Sequence, residues 1–285
     1  DPGGARWSTS GRPSTLAGSS DILDNGATMT SALLSSRLDV GARWRGLASL
    51  AAMVLAWQLV ASLAGSRLFP APLEVSQLLW EEALHGVLFH HLGITLARVG
   101  FSLAIALIVG SAIGYVAGRW SGVDLWLKPW VLVSLNIPAL ITVILVYVWL
   151  GLTEVALVVA VALNKIPTIA VTIREGANRL DRDLSEMAAL YSFDWKVRAR
   201  HLVLPQLVPY ALVAVRNGLA LTWKIVLVAE LLGRSDGVGF QLQVFFQNFD
   251  VAHILVYTIA FTGTVLILEY GILARIEKRC TSWRR

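Results

Sequence analysis

Beyond Arg45 the chain is a succession of long apolar runs separated by short polar ones. Six runs stand out, at about 46–65, 94–118, 125–149, 154–173, 207–232 and 252–274. Each holds about 20 or more residues, and at 1.5 Å per residue a helix of that length crosses roughly 30 Å of hydrocarbon. The pattern predicts an all-α polytopic membrane protein with six transmembrane helices. Only "GLT" (151–153) divides the third run from the fourth, which predicts a tight helical hairpin. Residues 1–40 are rich in Ser, Gly, Pro and Ala and show no sustained apolar period. Such a segment buries too little surface to offset the entropy of ordering, so a flexible tail is expected ahead of a membrane domain at 41–285. The first apolar run is long enough to span and is read as a membrane helix, not a signal peptide.

Between the first two runs lies "FPAPLEVSQLLWEEALHGVLFHH" (69–91). Pro70 and Pro72 break the chain before Leu73, Leu78, Leu79, Leu84 and Val87, which fall on or near one helical face. An outer, interfacial amphipathic helix is predicted. His85, His90 and His91 raise the question of a metal, but no ligand spacing or carboxylate completes the set, so solvated interfacial histidines are preferred and no metal site is expected. In the second run Gly110, Gly114 and Gly118 recur every four residues. They strip one helix face of side chains, so a neighbouring helix can approach closely.

Composition and charge add orientation to this picture. Charged residues make up 15% of the chain, well under the ~25% of a soluble domain, as apolar spans require. A net charge of +5 would suggest nucleic acid in a soluble protein. Here cytoplasmic loops collect Lys and Arg, and no basic tract with interleaved aromatics lies outside them, so no nucleic-acid partner is expected. With the N-terminus inside, the inner segments hold Arg43, Arg45, Arg119, the basic residues of 174–200, Arg275, Lys278, Arg279, Arg284 and Arg285. The outer connections then keep little beyond Arg67 and Arg234, so both termini are placed in the cytoplasm. The single cysteine, Cys280, excludes an intrachain disulfide and a cysteine-cluster metal site.

One segment on that cytoplasmic side is charged yet patterned: "SEMAALYSFDWKVRARHLVLP" (185–205). Leu180, Leu184, Met187, Ala188 and Tyr191 form an apolar helical stripe. Asp183 and Glu186 have the spacing of a capping box, Asp194 is placed to cap a second short helix, and Pro205 to end it. Two amphipathic helices at an angle would either dock into a groove on another protein or lie among lipid headgroups. Spacing alone leaves these two open.

The same segment resembles the EAA loop of binding-protein-dependent ABC importer permeases. Glu186, Ala188, Leu204 and Pro205 sit where that pattern places Glu, Ala, Leu and Pro, with Ser192 where it has glycine. "GLALTWKIVLVAELLGRSDGVGF" (218–240) and "FPAPLEV" are similar to the nitrate/sulfonate/taurine/bicarbonate branch. The resemblance implies a type I importer (MetI-like) fold in a bacterial plasma (inner) membrane, and a homodimer with a second copy of itself. It implies a coupling loop at 178–205, with Glu186, Ala188, Ala189, Ser192, Asp194, Leu204 and Pro205 meeting two cytoplasmic ABC ATPase subunits. A periplasmic or lipid-anchored binding protein would deliver the solute. No G-x-x-x-x-G-K-[S/T] sequence is present, so the chain is expected to hold no cofactor, with ATP and Mg on the partner ATPase. Ser192 is expected either to take a positive φ or to reshape its turn.

Ionisable groups inside the spans must face protein or a water-filled cavity. Lys165 and Lys224, with Glu230, are read as a positive pathway for a small anion, or alternatively as a structural ion pair and a snorkelling lysine. Asn136 and Pro138 in "LNIPAL" are read as a break in the third span beside the pathway, and Trp223 as a lining or packing residue. Phe240, Phe245 and Phe249 would close an outer gate or anchor an interfacial helix. The alternative to an ATP-driven importer is an ion-coupled secondary transporter using Glu230 and the lysines; no internal repeat of the kind that class often shows is visible. A membrane enzyme is disfavoured by the lack of a nucleophile–base set.

Overall fold

The computed structural model describes residues 44–66, 68–273 and 275. The expected tail at 1–40, Arg67 and Cys280 lie outside the described residues, as do Arg43 and the basic residues after Arg275. The chain forms two units, one ending at Leu63 and the other starting at Ala64. The first carries all but the last residue of α1 (Trp44–Ala64), 21 residues, apolar and long enough to cross a membrane.

In the second unit α2 (Pro72–His85) has Pro72 in its first turn, where an N–H has no helical partner anyway. It stops at Gly86, whose φ of +78° suits a residue without a Cβ. Gly86 turns the chain directly into α3 (Val87–Arg119), a helix of 33 residues. The second span therefore begins at Val87, not near residue 94, and His90 and His91 belong to it. His91 is buried, so the expectation of solvated interfacial histidines fails there.

The third run is not one helix. α4 (Ser121–Asn136) and α5 (Ala139–Leu150) meet at 97° across Ile137 and Pro138. The proline ring pushes Ile137 into extended backbone, ψ 123°, which ends α4. Gly151, at φ +74°, then closes the hairpin, and Thr153 caps α6 (Glu154–Asn178) by accepting from the Ala156 N–H at 3.1 Å.

Helices α3 and α6 pack along the glycine stripe. A Cβ at Gly110 would lie 2.9 Å from Ile169, one at Gly118 would lie 2.6 Å from Ala177, and one at Gly114 would run into the Ala170 carbonyl. Close approach buries Leu103, Ala106, Ile169 and Ile173, with Ala214 of the later helix α9 (Leu204–Gly233) completing the layer. The described residues contain no strand.

Between α6 and α9 run α7 (Arg182–Leu190) and α8 (Trp195–Arg198). Asp181, not the Asp183–Glu186 pair, caps α7: its carboxylate accepts from the Asp183 and Leu184 N–H groups at 2.9 and 3.3 Å. Asp183 already lies inside the helix, which leaves Glu186 too deep to reach back. Nor does Pro205 end a separate helix. A π-helical turn at Ala199–Val203 joins α8 to α9 (Leu204–Gly233) without a break. The Leu204 N–H bonds back to the Ala199 carbonyl, a slip of one residue at which Pro205, with no N–H to give, is accommodated inside the continuous helix. α10 (Val238–Gln247) and α11 (Val251–Leu266) follow, and the latter continues as π-helical turns through Ile267–Leu273. Phe245 is held by ring contacts with His253 and Tyr257 at 4.9 and 5.3 Å, while Phe249 sits exposed at the corner with φ +57°.

Gly114→Leu should wedge α3 from α6 and cost at least ~1–3 kcal/mol, as overpacking does. Tryptophan fluorescence on heating in detergent would show a lowered midpoint, whereas Gly122→Ala, which meets open space, should leave it unchanged or slightly raised.

Candidate functional site

Three assemblies of side chains lie along α6 and α9. The first is the α7–α8 loop. The Phe193 N–H bonds to the Ala188 carbonyl at 3.0 Å and the Ser192 N–H to the Ala189 carbonyl at 3.1 Å, the paired bonds of a Schellman turn. Its left-handed position is filled by Ser192, at φ +50°. The first of the two outcomes expected for that residue is the observed one, and its Cβ costs on the order of 1 kcal/mol there. Asp194 accepts from the Trp195 N–H at 2.8 Å and starts α8.

This turn divides the stripe expected on α7. Ala188 points inward and is buried. Leu190, Tyr191 and Trp195 stand 84%, 72% and 70% exposed. Glu186 and Ala189 line a polar groove of about 620 Å³ shared with Arg119, Arg182 and Arg198. Leu204 is exposed and Pro205 half-buried at the start of α9.

The second assembly is a cavity of about 400 Å³ at the α4–α5 break. Ile137 and Ala139 line it from the break, Lys165 and Thr168 from α6, and Leu221 and Lys224 from α9. The two lysines, separate in sequence, thus face one space. Lys165 is only 6% exposed, and neither lysine has a carboxylate partner among the described residues. The Lys224 ammonium lies 5.3 Å from the centroid of the Trp223 ring. Charge in the middle of a bilayer costs at least ~2.5–3.5 kcal/mol on insertion scales, so the cavity's contents must solvate these groups. Asn136 and Pro138 flank the cavity without lining it; the Asn136 amide donates to the Leu132 carbonyl of its own helix at 2.8 Å. Trp223 packs against Phe261, with ring centroids 5.6 Å apart.

Glu230 does not join the lysines. It is fully buried in the third assembly, at the end of α9 remote from the α7–α8 loop. Its carboxylate accepts from Arg98 Nη1 at 2.7 Å and from the Gly239 N–H at 2.9 Å, with Thr95 Oγ1 at 3.0 Å. The same guanidinium bonds Glu154 at 2.5 and 2.9 Å, the Asp236 carbonyl at 2.9 Å and the Asp236 carboxylate. Arg234 pairs with Glu154 as well. Thr95 and His91 accept from the Val238 and Gly237 N–H groups at 2.9 and 3.0 Å. A Cβ at Gly237, whose φ is +99°, would strike the Glu230 carboxylate. Burial opposes ionisation of Asp236, but the Arg98 hydrogen bond and charge, with Arg234 behind, hold its carboxyl below the usual range.

Glu230 thus lies outside the cavity that the lysines line, and a carboxylate this deep persists because an arginine and two further donors satisfy it. Arg98, Thr95, Glu154 and Asp236 were not singled out from the sequence. The signal was present, since Arg98 is the only charged residue in the apolar run at 94–118. Among the described residues no group of His, Cys, Asp and Glu is arranged to hold a metal.

The family model described as "Binding-protein-dependent transport system inner membrane component" matches residues 76–279. The chain belongs to this family. The permease is 26% identical over 247 residues to the putative aliphatic sulfonates transport permease protein SsuC of Bacillus subtilis (strain 168), covering 84% of this chain and 87% of that one. It is 30% identical over 234 residues to the protein of the same name from Escherichia coli (strain K12), covering 80% and 88%. A solved amino acid ABC transporter with histidines shares the fold, at a TM-score of 0.56 and 19% identity over 70% of this chain and 97% of that one. The permease thus has the type I (MetI-like) fold, is a multi-pass inner-membrane protein, and falls in the sulfonate, taurine and nitrate branch of ABC transporter permeases.

Ser192→Gly should raise the stability of the permease by about 1 kcal/mol by removing the Cβ from a left-handed position. Thermal unfolding of the two proteins side by side would show a higher midpoint for the glycine variant.

Proposed function

We propose that this permease is the membrane-crossing subunit of an ATP-driven importer. Two copies would carry a small anionic solute of the nitrate, sulfonate, taurine or bicarbonate kind into the cytoplasm by alternating access. ATP hydrolysis belongs to two separate cytoplasmic ATPase subunits, and a periplasmic or lipid-anchored binding protein hands over the solute. Both termini and the α7–α8 loop face the cytoplasm on this reading.

The observation that carries the reading is the shape of that loop. A Schellman turn closed by Ser192 presents Leu190 and Tyr191 outward, an exposed apolar knob at the end of two spans, and Trp195 is exposed at the start of α8. Apolar side chains on a charged loop are costly in water and are suited to a hydrophobic cleft on a soluble partner. Because α6 and α9 both end in this loop, a force applied to the knob is transmitted to both helices. The names of the relatives, aliphatic sulfonate permeases, support the anionic solute. Ion-coupled transport through Glu230 has less support, since that carboxylate is sealed behind Arg98.

Leu190→Asp and Glu186→Arg should each abolish co-purification of the ATPase and ATP-dependent uptake, while the permease still elutes as a folded species. Uptake by either variant at the wild-type level, with the ATPase still bound, would refute the docking role. Uptake by the permease alone, following a proton or sodium gradient, would establish the secondary-transporter alternative.

A further inference from the structure

We infer that the permease itself holds a binding site for a small oxyanion bearing a short aliphatic tail, formed by Lys165, Lys224 and the N-terminus of α5. The inference rests on the transporter reading and adds to it a location for solute selection within the membrane subunit.

Three independent features meet in the cavity at the α4–α5 break. Lys165 is more than nine-tenths buried, lines the cavity and has no carboxylate partner among the described residues. An ammonium so placed is uncompensated by any carboxylate of the described residues, and a bound anion supplies the missing charge. Lys224 lines the same cavity from α9, nearer its open side, with the Trp223 ring beneath its ammonium. One anion in this space is thus approached by cations from two helices.

The third feature is the backbone. Pro138 breaks the span, so α5 begins at the cavity wall, with Ile137 and Ala139 on the lining. The Ile141 and Thr142 N–H groups bond to the Pro138 carbonyl at 3.0 and 3.3 Å, which leaves the Ala139 and Leu140 N–H groups ahead of them without an intrahelical acceptor, and the positive end of the helix dipole favours an anion. Two lysines and a helix start together suit a tetrahedral or planar oxyanion, whose several oxygens accept from different directions. Ser134, Asn164 and Thr168 add polar groups to the lining, while Ile137, Leu221 and Ile225 give it an apolar part that accommodates a short hydrocarbon chain. At about 400 Å³ the space is at the lower end of small-ligand cavities.

The test uses the full-length permease in nanodiscs without binding protein, with radiolabelled ethanesulfonate as the probe. Saturable binding is expected, and it should weaken at least tenfold in Lys165→Met and in Lys224→Met. Lys165→Arg, which keeps the charge, should retain most of it and controls for misfolding. Ethyl methyl sulfone, a neutral compound of similar size, should not compete. The inference is overturned if the wild type shows no saturable binding, if both methionine variants bind as the wild type does, or if the sulfone competes equally. Failure of the ATPase to co-purify would refute the coupling reading alone, since binding is read on the permease by itself.

Discussion

One guanidinium organises the end of this molecule remote from the α7–α8 loop. Arg98, on α3, reaches Glu154 at the start of α6, Glu230 at the end of α9 and Asp236 in the turn before α10. Ridges and grooves alone would leave these helices free to slide, because apolar contacts in lipid have little direction. A buried arginine with its donors in a planar fork is directional, and each acceptor fixes one more segment. Glu230 repeats the arrangement on a smaller scale: it holds the Gly239 N–H and packs so closely on Gly237 that no side chain fits there.

The two helices tied together by Arg98 also carry the other assemblies. Along α6 the order is Glu154, Lys165, then the descent into α7; along α9 it is Leu204, Lys224, Glu230. Leu204 and Lys224 are separated by about 30 Å of helix at 1.5 Å per residue. The loop knob, the cationic cavity and the arginine cluster are thus stations on one pair of rods. The glycine seam of α3 against α6 adds close backbone contact, and the α4–α5 bend opens the space that the lysines share.

Much of this was legible in the chain. Apolar runs of sufficient length gave the membrane helices, the every-fourth glycine gave a close helix contact whose partner, α6, only the structure supplies, and "LNIPAL" gave the break. Ser192 at a glycine position pointed to a left-handed residue, which is what the turn contains. Less legible was anything set by distant partners. Glu230 and Lys224 are six residues apart and look alike as intramembrane charges, yet one is sealed by Arg98 and the other lines a cavity. The sequence holds no local mark of that difference, because the partner lies more than a hundred positions away on α3. Likewise Pro205 reads as a terminator until the π turn ahead of it is seen to absorb the missing donor.

The claim that Arg98 and Glu230 act as one unit is tested most directly by a double-mutant cycle. Unfolding free energies would be measured in mixed micelles for the wild type, Arg98→Met, Glu230→Gln and the double variant. Arg98→Met leaves the buried Glu230 carboxylate without its arginine and should cost roughly 3–5 kcal/mol, whereas Glu230→Gln leaves Arg98 its Glu154 and Asp236 partners and should cost less. The double variant should lose far less than the sum of the two. Losses that simply add would show that the pair is not coupled, and would contradict the account.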